Sequence, residues 1–279
     1  MKITALMENT KINEDLACEH GLSLYIEFGN KKILLDTGAS GSFLSNGEKL
    51  GINIEEIDAV VLSHGHNDHG GGLKAFFSSN SIGKVYLKKE AIKDYYAYKE
   101  GDKKYIGLGK DMIEDNWKRL NFINEFTEIE KNIFIISEIE KDYPLPQGNS
   151  NLYMEDKNGF RRDEFTHELV LVIRGEEGIV IFTGCAHNGI INIIKTAKDL
   201  FPGEKIKGIV GGFHLMNEGR WDGLCMENEE IDKISGVIIK EEVEVVYTGH
   251  CTGERGYLRL KEKLGEGVKY LSTGDKIDI

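Results

Sequence analysis

The sequence contains little proline, few cysteines and no cysteine pair. Only three prolines stand against 33 glycines in 279 residues, so glycine must make most of the tight turns. The four cysteines, Cys18, Cys185, Cys225 and Cys251, are scattered singly along the chain. This spacing excludes a disulfide framework and predicts a reduced, cytoplasmic protein.

The chain also lacks a long apolar run and an excess of basic residues. No run reaches the ~18 apolar residues that a membrane-spanning helix needs, so no membrane partner is expected. The segment 1–9 turns polar too soon for a signal peptide and predicts a first strand instead. Asp and Glu outnumber Lys and Arg by 47 to 35, a net charge of −12. Nucleic acid is therefore not expected as the main partner, because phosphate backbones attract basic surfaces.

The most informative stretch is the segment 63–72, with the sequence SHGHNDHGGG. It follows an apolar run at 57–62 that predicts a buried strand. Histidine and carboxylate ligands together suit zinc, iron or manganese. Side chains alternate in an extended segment, so His64 and His66 can point to the same side and share one metal ion.

Asp68 and His69 then turn to a second side of this segment, where they can hold a second metal ion. The alternative is a surface loop that contains histidines by chance. Crowded imidazoles without a metal ion leave donors and acceptors unsatisfied, which argues against that alternative.

The spacing His-x-His-x-Asp-His after an apolar strand resembles the signature of the metallo-β-lactamase superfamily. Further motifs along most of the chain are similar to the branch of metal-dependent hydrolases named after 7,8-dihydropterin-6-methyl-4-(β-D-ribofuranosyl)aminobenzene-5'-phosphate synthase. The resemblance implies an α/β fold, a four-layer αββα sandwich. No linker rich in proline or serine appears, so we expect a single domain over residues 1–279 with a lid or insertion around 90–130.

The hydrophobic pattern predicts two halves, each beginning with strands and hairpins and ending in strand–helix units. The predicted elements include hairpins at 22–36 and 168–182, helices at 190–200, 227–240 and 254–264, and an edge strand within 268–279. Residues 90–130 look less regular, and residues 150–163 look like a polar connector. The tyrosines of the first region either pack under a loop or stack on a flat substrate ring.

Three further loops repeat the order apolar strand, small residues, histidine. They carry His187, His214 and His250, and strand ends of a sandwich converge on one rim, so we expect them to share one cleft with 63–72. The resemblance implies that His187 and His250 are metal ligands, with a satisfied buried histidine as the alternative for His187. For His214 it leaves three roles open: binding a substrate phosphate, acting as a general acid, or orienting a neighbouring group.

The chain departs from the superfamily pattern where a Gly-Asp usually supplies a metal-bridging aspartate, because Cys185 stands there. Cys185 either ligates as a thiolate or packs as an inert buried thiol. His167 lies near the position where many relatives place a third histidine ligand, so it is a further candidate ligand. His20 is expected near the cleft or in a solvated loop. Asp36, in Leu-Leu-Asp-Thr-Gly, either orients a metal-bound histidine or only forms a turn. Cys251 is expected to point away from the site.

These residues predict two divalent transition-metal ions, with zinc preferred and iron or manganese as alternatives. We expect His64, His66 and His187 to hold one ion. We expect Asp68, His69 and His250 to hold the other. Asp68 and His214 are the predicted catalytic residues. We expect a metal-activated water to act on a phosphodiester, an ester or a related small molecule, which the resemblance extends to a pterin or ribofuranosyl-aminobenzene phosphate compound.

Four other functions stay open at this point. The first is transfer onto a pterin, the synthase-type reaction, in place of hydrolysis. The second is iron-dependent redox chemistry, although relatives of that kind usually carry a carboxylate where Gly65 or Asn67 stands. The third is a nuclease, which the acidic composition disfavours. The fourth is a sensor that binds a small ligand without turnover.

Overall fold

The structure is a computed structural model that describes residues 1–99, 101–217 and 220–279. Contacts divide the chain into two units. Unit 1 consists of Met1–Asn124, Asn151–Glu168 and Ser272–Ile279, and unit 2 consists of Glu125–Ser150 and Leu169–Leu271. The single-domain organisation over 1–279 stays a prediction.

The described residues form twenty strands and seven α-helices. The strands are β1 (Lys2–Met7), β2 (Ser23–Phe28), β3 (Lys31–Leu35), β4 (Ala59–Val61), β5 (Lys84–Leu87), β6 (Asp94–Lys99), β7 (Asp102–Tyr105), β8 (Leu120–Phe122), β9 (Thr127–Glu130), β10 (Ile133–Ile136), β11 (Leu152–Asp156), β12 (Gly159–Arg162), β13 (Val170–Arg174), β14 (Ile179–Phe182), β15 (Ile206–Val210), β16 (Met216–Asn217), β17 (Arg220–Leu224), β18 (Val246–Thr248), β19 (Val268–Tyr270) and β20 (Lys276–Asp278). The helices are α1 (Ser42–Leu50), α2 (Asn67–Gly70), α3 (Leu73–Ser79), α4 (Lys110–Asp115), α5 (Ile190–Leu200), α6 (Asn228–Lys240) and α7 (Gly253–Leu264). No helix in this described part of the chain is long and apolar enough to cross a membrane.

Unit 1 is built on a mixed seven-stranded sheet with the order β20-β1-β2-β3-β4-β5-β8. The strands β1, β2 and β3 are antiparallel, whereas β3, β4, β5 and β8 are parallel. Phe43 of α1, Val60 of β4 and Phe76 of α3 belong to its buried core. Burying one such side chain contributes about 1.5–3 kcal/mol, so the apolar faces of these elements hold the unit together.

Unit 1 also contains a four-stranded antiparallel sheet that corrects two expectations from the sequence. Residues 152–162 form the hairpin of β11 and β12, not a connector, and β6 and β7 lie in the region 90–130 that looked irregular. Tyr96 packs edge-on against Tyr105 and Phe160, with ring centroids 5.4 and 5.8 Å apart. Such cross-strand aromatic pairs stabilise strands whose other residues are polar. Residue 100 lies outside the described residues, and a lid function for 90–130 stays a prediction.

Unit 2 repeats the mixed arrangement in a seven-stranded sheet with the order β19-β18-β15-β14-β13-β10-β9. The predicted hairpin is present as the antiparallel pair β13 and β14, and β14, β15, β18 and β19 are parallel. The helix predicted at 190–200 is α5, whose Ile190, Ile193, Ile194 and Ala197 lie in the core at helical spacing. Helix α6 begins at a capping box between Glu227 and Glu230.

Parallel strands place their carboxyl ends on the same edge of a sheet. In unit 1 this edge carries Asp36 after β3 and the segment 63–72 after β4. In unit 2 it carries the loops 183–189, 211–215 and 249–252, which follow β14, β15 and β18. Each sheet thus collects its histidine-bearing loops at one edge.

Candidate metal centre

The three histidines of the segment 63–72 are buried together in unit 1. The ring centroid of His64 lies 4.5 Å from that of His66 and 4.1 Å from that of His69. The segment is extended only as far as His66, because residues 67–70 form the single turn α2. The sequence predicted that Asp68 and His69 turn to a second side, but the His69 ring lies as close to His64 as the His66 ring does.

The donor set of this cluster fits a divalent transition-metal ion. One ligand atom each from His64, Asp68 and His69 can be chosen so that all three atoms lie within 4.8 Å of one another. Zinc binds imidazole nitrogen and carboxylate oxygen at about 2.0–2.2 Å, so one ion can reach such a triangle with small side-chain adjustments. Two imidazoles and a carboxylate also suit iron and manganese.

Asp36 determines which ring nitrogens of this cluster carry a proton. Its carboxylate accepts the Ser63 backbone N–H at 2.7 Å, the Ser63 hydroxyl at 2.7 Å and His69 Nδ1–H at 2.6 Å. Because the Ser63 hydroxyl donates to Asp36, its oxygen accepts from His64 Nδ1–H at 2.9 Å. Both histidines therefore keep the lone pair on Nε2, the form that ligates metal. The sequence-based view that Asp36 orients a histidine is confirmed for these contacts.

His167 has both ring nitrogens engaged in hydrogen bonds of unit 1. The Gly65 backbone N–H donates to His167 Nδ1 at 2.8 Å, so the proton lies on Nε2 and is donated to Asp163 at 2.9 Å. Tyr95 is buried beside this ring at a centroid distance of 4.1 Å, which is packing and not substrate stacking. These contacts argue against His167 as a ligand and give it the role of supporting the backbone at Gly65.

Asp163 links His167 to His66. Its Oδ2 atom lies 3.8 Å from His66 Nε2, which favours a proton on that nitrogen and the lone pair on Nδ1. Burial raises the pKa of Asp163, but the charges and hydrogen bonds of His167 and His66 outweigh this and hold the pKa below its ordinary value. Burial lowers the pKa of His167, and this effect outweighs the opposing effect of the Asp163 charge.

His20 lies beside Asp68 and not in a remote loop. Asn9 Oδ1 accepts the Gly21 backbone N–H at 3.3 Å, which turns its amide nitrogen towards His20 Nδ1 at 3.2 Å. The proton of His20 is therefore on Nε2, 3.4 Å from Asp68 Oδ2. This arrangement orients the Asp68 carboxylate. The His20 side chain is also 58% exposed, so both expected descriptions, a place beside the site and a solvated histidine, apply to it.

Asn149 is a site residue of unit 2 that the sequence did not reveal. Its amide nitrogen donates to the backbone carbonyl of His187 at 2.8 Å, so its oxygen faces His187 Nδ1 and accepts that proton, also at 2.8 Å. His187 therefore keeps its lone pair on Nε2. A signal was present: two of the three prolines, Pro144 and Pro146, lie just before Asn149. In a chain with so little proline, they mark a loop of defined shape.

The three histidine loops of unit 2 lie side by side. The Gly212 N–H donates to the Gly184 carbonyl at 2.9 Å, and the Leu215 N–H donates to the Cys251 carbonyl at 3.0 Å. The ring centroids of His187 and His214 are 4.2 Å apart. His187 and His214 thus lie together in unit 2, whereas a cleft shared with the segment 63–72 stays a prediction.

Three non-glycine residues in these loops have left-handed backbone conformations: Ala186 at φ 56, His214 at φ 51 and His250 at φ 47. Such conformations cost of order 1–3 kcal/mol and cluster at functional sites. His250 begins the turn His250–Thr252 directly after β18 and is buried. The surrounding fold therefore holds these three residues in conformations that their own backbone preferences disfavour.

Cys251 does not point away from the neighbouring loops, contrary to expectation. Its sulfur accepts the His214 backbone N–H at 3.3 Å, and its thiol is directed at the Cys185 carbonyl at 3.6 Å. Burial raises the pKa of the Cys251 thiol, but the hydrogen bonds of Cys185 and His214 and the charges of His250 and His214 more than offset this. The net result is a pKa well below the ordinary value.

Comparison with known proteins identifies the family. The model of the metallo-beta-lactamase superfamily matches residues 17–210, so the chain belongs to that superfamily. The predicted α/β class and metallo-β-lactamase fold, with mixed sheets flanked by helices, are confirmed. Members of this superfamily typically bind divalent metal ions, which agrees with the donor sets above.

Three relatives resemble the chain over nearly its whole length. The crystal structure of Tm1679, a metal-dependent hydrolase of the beta-lactamase superfamily, has a TM-score of 0.85 and 33% identity and covers 100% of this chain and 99% of its own. An uncharacterized protein of Methanocaldococcus jannaschii is 31% identical over 93% of this chain and 94% of its own length. The 7,8-dihydropterin-6-methyl-4-(beta-D-ribofuranosyl)-aminobenzene-5'-phosphate synthase of the same organism is 29% identical over 98% of this chain and 95% of its own length.

Proposed function

We propose that this protein is a metal-dependent hydrolase that uses a metal-activated water on a phosphodiester, an ester or a related small molecule. One observation carries the proposal: Asp36 and Ser63 hold His64 and His69 in the tautomer that presents Nε2 as a ligand, beside the Asp68 carboxylate. Histidines that only stabilise a core do not need this shared control of their protons. Superfamily membership supports the same chemistry.

The proposed ligands are the six predicted from the sequence, namely His64, His66, Asp68, His69, His187 and His250. Two ions per chain, zinc by preference, are part of the proposal. When bound, a divalent metal ion lowers the pKa of a coordinated water to about 7 and polarises the bond to be cleaved. Asn149 contributes by orienting His187, in the way Asp36 orients His69.

Asp68 and His214 are the proposed catalytic residues. The Asp68 side chain is 18% exposed, whereas that of His69 is fully buried, so Asp68 can reach a substrate or a water molecule. His20 Nε2–H, 3.4 Å away, holds the Asp68 carboxylate in place for accepting a proton. His214 is proposed to donate a hydrogen bond or a proton to the substrate.

A phosphorylated or pterin-like small molecule is the proposed substrate class. The support is the synthase of Methanocaldococcus jannaschii, which is 29% identical over 98% of this chain. The same relative supports a second candidate, a synthase-type transferase that joins two substrates instead of hydrolysing one. Hydrolysis in water enriched in oxygen-18 would place the label in a product, whereas transfer would leave the products unlabelled, and mass spectrometry separates the two.

The first test is elemental analysis of protein purified without added metal. We expect about two transition-metal ions per chain in the parent and a loss of bound metal in His66→Ala and His250→Ala, one variant from each unit. Asp102→Ala is the control, since it removes an exposed side chain of β7 and leaves all six proposed ligands and the contact of His20 with Asp68 in place. A parent that binds no metal even after reconstitution would overturn the proposal and leave a small-ligand binding protein.

A further inference from the structure

A second type of donor set lies in unit 2, and nothing in the proposed hydrolase uses its sulfur atoms. One ligand atom each of Cys185, His214 and Cys251 can be chosen so that all three atoms lie within 4.8 Å of one another. All three residues are buried, with relative exposures of 3%, 6% and 3%. Two thiols and an imidazole are thus concentrated in one small volume.

The sequence builds this cluster from three loops, one residue from each. Cys185 follows β14, His214 follows β15 and Cys251 follows β18. Glycine at position 212 permits the arrangement, because a Cβ atom there would lie 2.4 Å from Cys251 Sγ and 2.8 Å from the Gly184 carbonyl oxygen. The left-handed conformation of His214 brings its backbone N–H to within 3.3 Å of the same sulfur atom.

We propose that Cys185, His214 and Cys251 bind a borderline or soft metal ion, with zinc as the best match. Zinc–sulfur bonds of about 2.3 Å and zinc–nitrogen bonds of about 2.0 Å place tetrahedral ligand atoms roughly 3.5 Å apart, within the observed span. Both thiols lose their protons on binding, so a divalent ion replaces two protons and the thiolates and the imidazole nitrogen bond to it. A water molecule or a substrate atom takes the fourth position.

This site differs in chemistry from the cluster of His64, Asp68 and His69. Thiolate ligands select zinc and soft ions, whereas imidazole and carboxylate also accept iron and manganese. The hydrogen bond from the His214 N–H to Cys251 Sγ is of the kind that stabilises a ligating thiolate. A further consequence rests on the proposed function: His214 can ligate through one ring nitrogen and offer the N–H of the other to the substrate.

Cobalt substitution of the full-length protein tests the site independently of turnover. A thiolate bound to Co²⁺ gives an intense sulfur-to-metal charge-transfer band in the near ultraviolet, which imidazole and carboxylate ligands do not give. We expect this band in the parent and its loss in Cys185→Ser and in Cys251→Ser. Cys18→Ser is the matched control and keeps the band, because Cys18 is an exposed thiol of unit 1.

The outcomes distinguish this proposal from the hydrolase proposal. Bound cobalt without the band in the parent would overturn the thiolate site and leave the histidine–carboxylate ligands standing. A band that survives in Cys251→Ser but not in Cys185→Ser would also overturn the three-residue set. Because a cysteine variant can fail to fold, zinc-edge X-ray absorption of the parent provides a second measurement. Sulfur neighbours at about 2.3 Å support the site, and nitrogen and oxygen neighbours alone refute it.

Discussion

Asp36 combines a left-handed backbone, at φ 60, with a fully buried carboxylate. Such a backbone is uncommon in residues other than glycine, although aspartate tolerates it better than most. A buried carboxylate is tolerated because it accepts hydrogen bonds from Ser63 and His69. The result is one anion that fixes the proton positions of two neighbouring imidazoles.

Asp36→Asn should weaken metal binding about 10- to 100-fold, the usual effect of losing the partner that orients a ligand. The amide cannot accept hydrogen bonds from Ser63 and His69 through both of its side-chain atoms, so one of these donors faces another N–H group. Competition with a chromogenic chelator measures the affinity.

Asp102→Asn is the control for this change, since Asp102 is exposed on β7 of the same unit. We expect its metal affinity to equal that of the parent. Equal affinity in Asp36→Asn and Asp102→Asn would contradict the role given to Asp36.

The residue types of the site were visible in the sequence, but their partners were not. The segment 63–72 indicated its proposed ligands through local spacing, and Asp36 was recognised through its motif. Asn149 stayed hidden because it meets His187 only after 38 residues of chain, and the approach of Asp163 to His66 is likewise long-range, although Asp163 also bonds to the nearby His167. An asparagine in a loop and an aspartate in a polar stretch carry no periodic signal.

At the level of elements, the turn at Gln147–Asn151 supports two histidines of unit 2 at once. Asn149 bonds to His187, and the backbone at Gly148 packs directly on the His214 ring. A Cβ atom at Gly148 would lie 2.9 Å from both Nε2 and Cδ2 of His214. Neither the turn nor the ring can move without disturbing the other.

Gly148→Ala should therefore destabilise the protein by about 1–3 kcal/mol, the usual cost of forcing an extra methyl group into a packed site. Thermal unfolding followed by circular dichroism would show a lower midpoint, by roughly 2–4 °C for each kcal/mol.

Gly109→Ala is the matched control. Nothing lies within 4 Å of a Cβ atom at Gly109, and its φ of −66 is open to alanine. An unchanged midpoint in Gly148→Ala would show that the turn yields easily and that it does not hold His214.

Elements with a strong apolar period were predictable, and those held by aromatic pairs were not. Helix α5 coincides with the predicted 190–200, because its isoleucines recur at helical spacing. The hairpin of β11 and β12 was missed, because its stability depends on stacking between Tyr153 and Phe160 at a centroid distance of 4.9 Å. Two aromatics among charged residues do not resemble a buried strand in the sequence.

For the whole molecule, metal binding should contribute to stability, because an unfolded chain rarely offers a preformed metal site. A ligand present at 1,000 times its dissociation constant stabilises the native state by about 4 kcal/mol. Dialysis against a chelator should therefore lower the unfolding midpoint, and added zinc should restore it.

The Asp36→Asn variant serves as the comparison for this measurement and should respond less to chelation than the parent. If removal of all bound ions leaves the midpoint of the parent unchanged, the ions do not bind the native state preferentially. Calorimetry should record the transitions, because the chain contains two units and need not unfold in one step.

The sequence by itself determined the family, the fold class, the order of the main strands and helices, and the chemical types at the site. The family and the fold class follow from motifs that resemble those of known members, and the elements and residue types follow from periodicity and local spacing. Only the tertiary structure decided which ring nitrogens carry protons, that His167 supports Gly65, and that Cys251 meets His214. Hydrogen bonds and metal sites depend on directions and distances between groups far apart in the chain, and these exist only after folding.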